Sequence, residues 1–146
     1  MGFPIHITEF HPQSSGVPIT GGWRTGSWSP EAQAEFTEQF VRLCFGHPGV
    51  VSINWWGFSD RNIWLPGGGL VDEEYRPKPV YLMLDKLINQ TWRTNLSLQT
   101  GTNGMISFRG FYGNYDITLS TPDGKVRIFP IHLNKNQENK WVFFID

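Results

Sequence analysis

The order of patterned segments over residues 3–91 constrains the fold more than any other feature: strand, long loop, helix, and then the same three again. Phe3, Ile5 and Ile7 alternate with Pro4, His6 and Thr8, which predicts a short strand ending at Glu9 and Phe10. His11 to Ser29 is rich in Gly, Ser, Thr and Pro with Trp23 and Trp28 embedded, and reads as a functional loop rather than an element. Ser29-Pro30-Glu31 then supplies an N-cap, a first-turn proline and a first-turn acid. A helix is expected over 30–45, with Phe36, Phe40, Leu43 and Cys44 on its buried face, stopped by Gly46 and His47-Pro48. A second strand follows from Val50 to Trp56, placing Val51, Ile53 and Trp55 on one face and Ser52, Asn54 and Trp56 on the other. One apolar and one mixed face suit a barrel strand whose outer side packs under helices while its inner side reaches a polar site. A loop over 57–78 carries Trp64, Pro66 and three consecutive glycines, and a helix from Pro79 to about Gln90 buries Val80, Leu84, Leu87 and Ile88.

After Trp92 the pattern changes to short alternating runs, Leu96 to Gln99, Met105 to Gly110, Tyr115 to Ser120, Val126 to Leu133 and Trp141 to Ile145. They are separated by Gly101-Thr-Asn-Gly, Pro122-Asp-Gly and Asn134 to Asn139, all good turn chemistry. The expectation is an α/β domain over 1–91, made of two βα units, followed by a small antiparallel β module over 92–146.

Charge and composition narrow the partners. Twelve Lys and Arg against thirteen Asp and Glu give a net charge of -1, so electrostatics offers no reason to expect nucleic acid or an anionic membrane. No stretch approaches the roughly 20 apolar residues needed to span a bilayer, and the start lacks a basic region followed by an apolar run. Cys44 is the sole cysteine and cannot form an internal disulfide, so cysteine usage does not specify a redox compartment. Asn89-Gln-Thr and Asn95-Leu-Ser match the glycosylation sequon, which matters only in a eukaryotic secretory pathway. His6, His47 and His132 lack metal-ligand spacing, and neither metal nor cofactor is expected. Asp72, Glu73 and Glu74 read as a solvated turn, and Glu31, Glu35 and Glu38 as a helix surface. The informative bias is aromatic: seven Trp, eleven Phe and four Tyr, a content that serves cores and sugar-stacking sites alike.

Two motifs then make a specific resemblance. Ile5-His6-Ile7-Thr8-Glu9-Phe10 resembles the seventh-strand motif of family 10 glycoside hydrolases, whose glutamate attacks the anomeric carbon. Trp56-Gly57-Phe58-Ser59-Asp60, Trp64, Gly69-Leu70 and Pro77-Lys78-Pro79-Val80-Tyr81 resemble the eighth-strand region of the same family, in order and at plausible spacing. The resemblance covers residues 3–91 and implies the last two βα units of a (β/α)8 TIM barrel, with xylan or a related β-linked polysaccharide as substrate and a secreted or periplasmic home. It assigns Glu9 as nucleophile and makes Trp56, Trp64, His11, Asn54 and Asp60 candidates for sugar binding. A retaining glycosidase needs an ionised carboxylate on one sugar face and a protonated carboxyl about 5 to 5.5 Å away. Glu9 fits the first role, and no acid in this chain matches the family's acid/base motif, which follows the fourth strand. His11 departs from the family, which usually has Asp there to orient a histidine of the preceding strand; a protonated imidazole cannot accept those hydrogen bonds. It is a substitute contact or a plain loop residue.

Three functions compete at this point. One is a segment of an endo-1,4-β-xylanase completed by a longer chain or by other copies. Another is a non-catalytic xylan-binding module using Trp56 and Trp64, or Phe108, Phe111, Tyr112 and Tyr115. The last is an inactive fragment that folds by self-association. Two βα units leave unpaired strand edges, so a homo-oligomer or a missing amino-terminal part of the barrel is expected.

Overall fold

The computed structural model describes residues 2–145 of the chain. Its Cα packing divides the chain into two compact units, Met1–Gln90 and Thr91–Asp146.

The first unit is mixed α/β. Strand β1 (Ile5–Phe10), helix α1 (Pro30–Gly46), strand β2 (Val50–Trp55) and helix α2 (Pro79–Lys86) follow one another, and a π-helical turn over Leu87–Thr91 extends α2. The strands pair in parallel, which the intervening helix makes possible. Pairing runs Ile5 with Val50, His6 with Ser52, Ile7 with Ile53 and Phe10 with Trp55. Ile7 to Phe10 thus spans one residue more than Ile53 to Trp55, and β1 bulges across Thr8 and Glu9.

Helix α1 starts where its sequence dictates. The Ser29 hydroxyl accepts from the Ala32 N–H at 3.2 Å, and Pro30 occupies the first turn, where no amide donor is needed. Hydrogen bonds from its own backbone N–H and from Ser29 hold the Glu31 carboxyl below the usual carboxylate range. The helix stops at His47, which precedes Pro48 and is extended (φ -89°, ψ 119°), the conformation proline imposes on its predecessor.

The buried stripe of α1 is Gln33, Thr37, Val41 and Cys44, spaced at four, four and three residues. Phe36 and Phe40 flank it and meet Phe10 of β1: Phe10 and Phe40 stack at 4.3 Å between centroids, and Trp55 approaches Phe10 edge-on at 5.5 Å. Leu43 was expected in this face and is exposed instead, because the stripe is centred on Thr37 and Val41 rather than on the phenylalanines. In α2 and the π turn that follows it, Val80 and Leu87 are buried as expected, but Ile88 is exposed. The wider π turn beginning at Leu87 changes the angle per residue and carries Ile88 away from the α-helical stripe. Phe3 is likewise exposed, since β1 begins at Ile5.

The second unit contains one antiparallel hairpin, β3 (Gly113–Ser120) with β4 (Val126–Leu133), paired residue for residue from Gly113–Leu133 to Ser120–Val126. Its turn, Thr121 to Lys125, is closed by the Thr121 N–H to Lys125 O bond and uses Gly124 at φ 90°. The runs 96–99, 105–110 and 141–145 were expected to be strands, and none is. In two of these runs an aromatic side chain is laid against the hairpin without ladder pairing: Phe143 stacks on Phe129 at 4.5 Å, and Phe108 meets Tyr115 at 6.3 Å, while Leu96 and Leu98 of the first run are exposed.

Candidate active site

Parallel pairing brings the carboxyl ends of β1 and β2 together, and both long loops leave from that end. Glu9 lies in the β1 bulge and is exposed, and among the described residues no hydrogen bond or ion pair engages its carboxylate. Trp56 begins the loop after β2 at the same end, and its backbone N–H donates to the carbonyl of Phe10, the residue after Glu9, at 3.1 Å. Bulges commonly re-aim a side chain next to a functional site. Trp56 is 46% exposed and Trp64, in the loop after β2, is 74% exposed, so both rings present large apolar faces to solvent. Trp55, on the opposite strand face, turns inward and donates its indole N–H to Gly68 O at 3.1 Å. Asn54 donates its amide to Thr8 O at 3.2 Å, tying β2 to the bulge.

Behind this surface the β2–α2 loop is folded around a lysine. The Lys78 ammonium donates to Asp60 Oδ2 at 3.0 Å, Asp60 Oδ1 at 3.2 Å and Gly67 O at 2.7 Å. Gly67 O also accepts from Ser14 Oγ and Gln33 Nε2, both at 2.8 Å, so one carbonyl joins the β1–α1 loop, helix α1 and the start of α2. Asp60 Oδ1 further accepts the Gly69 N–H at 2.7 Å. Asp60, expected among the sugar-binding residues, therefore has its carboxylate engaged within the loop. Gly69 must be glycine, because a Cβ there would lie 2.6 Å from the Asp60 backbone nitrogen.

His11 sits in a slot against Gly68, where an added Cβ would fall 2.0 Å from its Nε2, and its ring meets Trp64 edge-on at 5.8 Å. Burial pushes the imidazole below its usual range, the nearby Asp60 charge opposes that, and Lys78 reinforces it. Both ring nitrogens are buried, with no hydrogen-bond partner among the described residues. His11 thus props the loop under Trp64. Sequence reasoning quoted Lys78 within its motif without a role, and passed over Ser14 and Gln33 altogether. The one available signal was a lysine flanked by Pro77 and Pro79 just ahead of an apolar helix face.

An open pocket of about 440 Å³ is lined by Asp60 together with Asn62, Pro66, Asp72, Glu74 and Arg76 among others. Its acids are largely paired internally: Asp72 accepts from the Arg76 guanidinium at 2.7 Å and from the Glu74 and Arg76 backbone N–H groups, and Glu74 pairs with Arg76 at 2.6 Å. The acidic run is a self-closed turn.

The family model described as glycosyl hydrolase family 10 matches residues 1–86. The chain belongs to that family. Endo-1,4-beta-xylanase B of Thermotoga neapolitana is 31% identical over 97 residues, 62% of this chain and 26% of that protein. Endo-1,4-beta-xylanase 3 of Arabidopsis thaliana is 25% identical over 126 residues, 86% of this chain and 15% of that protein. Anti-sigma-I factor RsgI6 of Acetivibrio thermocellus is 31% identical over 138 residues, 92% of this chain and 16% of that protein. The chain spans about a quarter or less of the length of the curated relatives it matches. The family 10 match accounts for the βα units, and the longest of these alignments runs on into the hairpin unit.

Proposed function

We propose that residues 1–91 are the last two βα units, strands seven and eight, of a (β/α)8 glycosidase barrel, and that the chain is a segment of a retaining endo-1,4-β-xylanase. Glu9 is the nucleophile, and Trp56 and Trp64 form the wall on which a xylose ring stacks. The observation that carries this reading is that Glu9, in the β1 bulge, and Trp56, whose N–H bonds to Phe10 O, both lie at the carboxyl end of one parallel strand pair, where barrel enzymes build their sites. Asp60 and His11 serve the site by holding the loop of Trp64, and Asn54 by fixing the bulge.

The acid/base carboxyl and the remaining strands come from a longer chain or from other copies. Exposed Ile5, Val51, Leu82 and Ile88 are the apolar surface such neighbours would cover. In a catalytically complete context, Glu9→Ala should abolish hydrolysis while leaving oligosaccharide binding, because it removes a transition-state interaction. Turnover retained within about tenfold would defeat the assignment. So would an inverted anomer in the product. Light scattering on the chain alone should report association.

A second reading has an observation of its own. The alignment that covers the largest share of the chain among those described, 92%, is to a protein named as an anti-sigma factor rather than as a hydrolase. On that reading the same aromatic surface is a non-catalytic xylan-binding module, and saturable binding to insoluble xylan without release of reducing sugar would select it.

A further inference from the structure

The β1–α1 loop is not irregular throughout. Gly16 N–H donates to Trp28 O at 2.7 Å, Trp28 N–H to Val17 O at 2.8 Å and Ile19 N–H to Gly26 O at 2.9 Å, with Pro18 bridged to Ser27, so residues 16–28 form a small hairpin. Gly21 (φ 81°), Gly22 (φ 72°) and Gly26 (φ 103°) supply the left-handed turns at its tip. The tip carries Trp23, which is 80% exposed. The next residue anchors it. Arg24 has a side chain only 13% exposed, with its guanidinium 5.2 Å from the Trp23 ring centroid and 5.8 Å from that of Phe36 on α1. Its Nη2 donates to Glu35 Oε1 at 3.1 Å and to Gln39 Oε1 at 3.2 Å. One face of the indole is therefore clamped to α1 through a cation, and the rest is open to water.

A protein partner would be matched by a broad apolar patch, whereas over the hairpin, residues 16–28, only Val17, half-exposed near its base, accompanies Trp23 as an exposed large apolar side chain. Its neighbours in the hairpin are Thr20, Gly21, Gly22, Thr25 and Gly26, which offer hydroxyls and bare backbone groups. A flat ring held from behind and rimmed by hydrogen-bonding groups matches a pyranose, with its apolar C–H face and equatorial hydroxyls. The hairpin leaves from the same end of the sheet as Glu9, Trp56 and Trp64.

We infer that Trp23 is a distal sugar-stacking platform for a β-linked polysaccharide, taking a residue of the chain remote from the ring held at Trp56 and Trp64. This rests on the polysaccharide reading of the first unit. Arg24 acts as a positioning residue, clamping the indole in advance so that less freedom is lost on binding.

The test is calorimetric titration of the full chain with a xylose disaccharide and a xylose hexasaccharide. The unaltered protein should bind the longer ligand more tightly. Trp23→Ala should weaken hexasaccharide binding about five- to tenfold and leave disaccharide binding within about twofold, with Trp23→Tyr retaining most of the difference. Arg24→Ala, which keeps the indole but frees it, should lose part of the increment. Because Trp23 is exposed, Trp23→Ala should leave the circular dichroism spectrum unchanged. Equal affinity of the unaltered protein for both ligands, or equal weakening of both by Trp23→Ala, would overturn the platform and leave the assignment of Trp56 and Trp64 standing. Binding of neither ligand would overturn the polysaccharide reading and the platform with it.

Discussion

Removing the Lys78 ammonium while keeping its apolar stem, as Lys78→Met does, isolates the node that holds the β2–α2 loop. The side chains of Lys78 and Asp60 are 8% and 16% exposed, so the pair is mostly withdrawn from water. Truncating one partner of a fully buried pair costs about 3–5 kcal/mol, because the other charge stays behind unpaired. Here the penalty is reduced. Asp60 keeps the Gly69 N–H and some solvent, and Gly67 O keeps Ser14 and Gln33. A loss of about 2–4 kcal/mol is expected. Asp60→Asn should cost a similar amount by stranding the ammonium, and the double variant should cost less than the sum, with a coupling of about 1–3 kcal/mol. Urea unfolding followed by tryptophan fluorescence is the assay, since Trp23, Trp28, Trp55, Trp56 and Trp64 all lie in the first unit. The effect should change little with salt, because a pair shielded from solvent is weakly screened. A Lys78→Met protein within about 0.5 kcal/mol of the unaltered chain, or a coupling indistinguishable from zero, would show that the node is ornamental.

Trp56→Ala and Trp64→Ala should each cost about 1–3 kcal/mol in sugar binding with little change in stability, whereas Trp55→Ala should lower stability by about 2–4 kcal/mol, read by the same urea melts. The reverse ranking would mean that the facing of β2 is misjudged. Burial lowers the pKa of the His11 imidazole in the folded chain, so on acidification the unfolded chain takes up its proton first. Stability should therefore fall as pH drops from the ordinary histidine range through the lowered folded value, and His11→Asn should flatten that part of the pH–stability curve. An unchanged slope would remove His11 from the account.

Much of the first unit was legible because its signals are local. Ser29, Pro30 and His47-Pro48 bound α1 through caps and backbone sterics that need no tertiary partner. The strands could be read from period-two alternation, and Glu9 and Trp56 could be placed at their carboxyl ends by counting. Burial was less legible. Leu43 and Ile88 belong by sequence to apolar helix faces, but which stripe is covered depends on what lies opposite, and a π turn shifts the phase. In the second unit, alternation over 141–145 looked like a strand because a chain laid flat on a hairpin shows the same period as one paired within it.

By itself, then, the sequence determined the order of elements, the caps, the turn glycines and the pair of motifs that mark family 10, because each depends on neighbours within a few residues or on a short ordered pattern. Only the tertiary structure decided that Glu9 sits in a bulge, that Lys78 closes on Asp60 and Gly67, and that Arg24 backs Trp23 against α1. Those contacts join residues from separate segments, and no periodicity or propensity records a distance between side chains that meet only after the chain has folded.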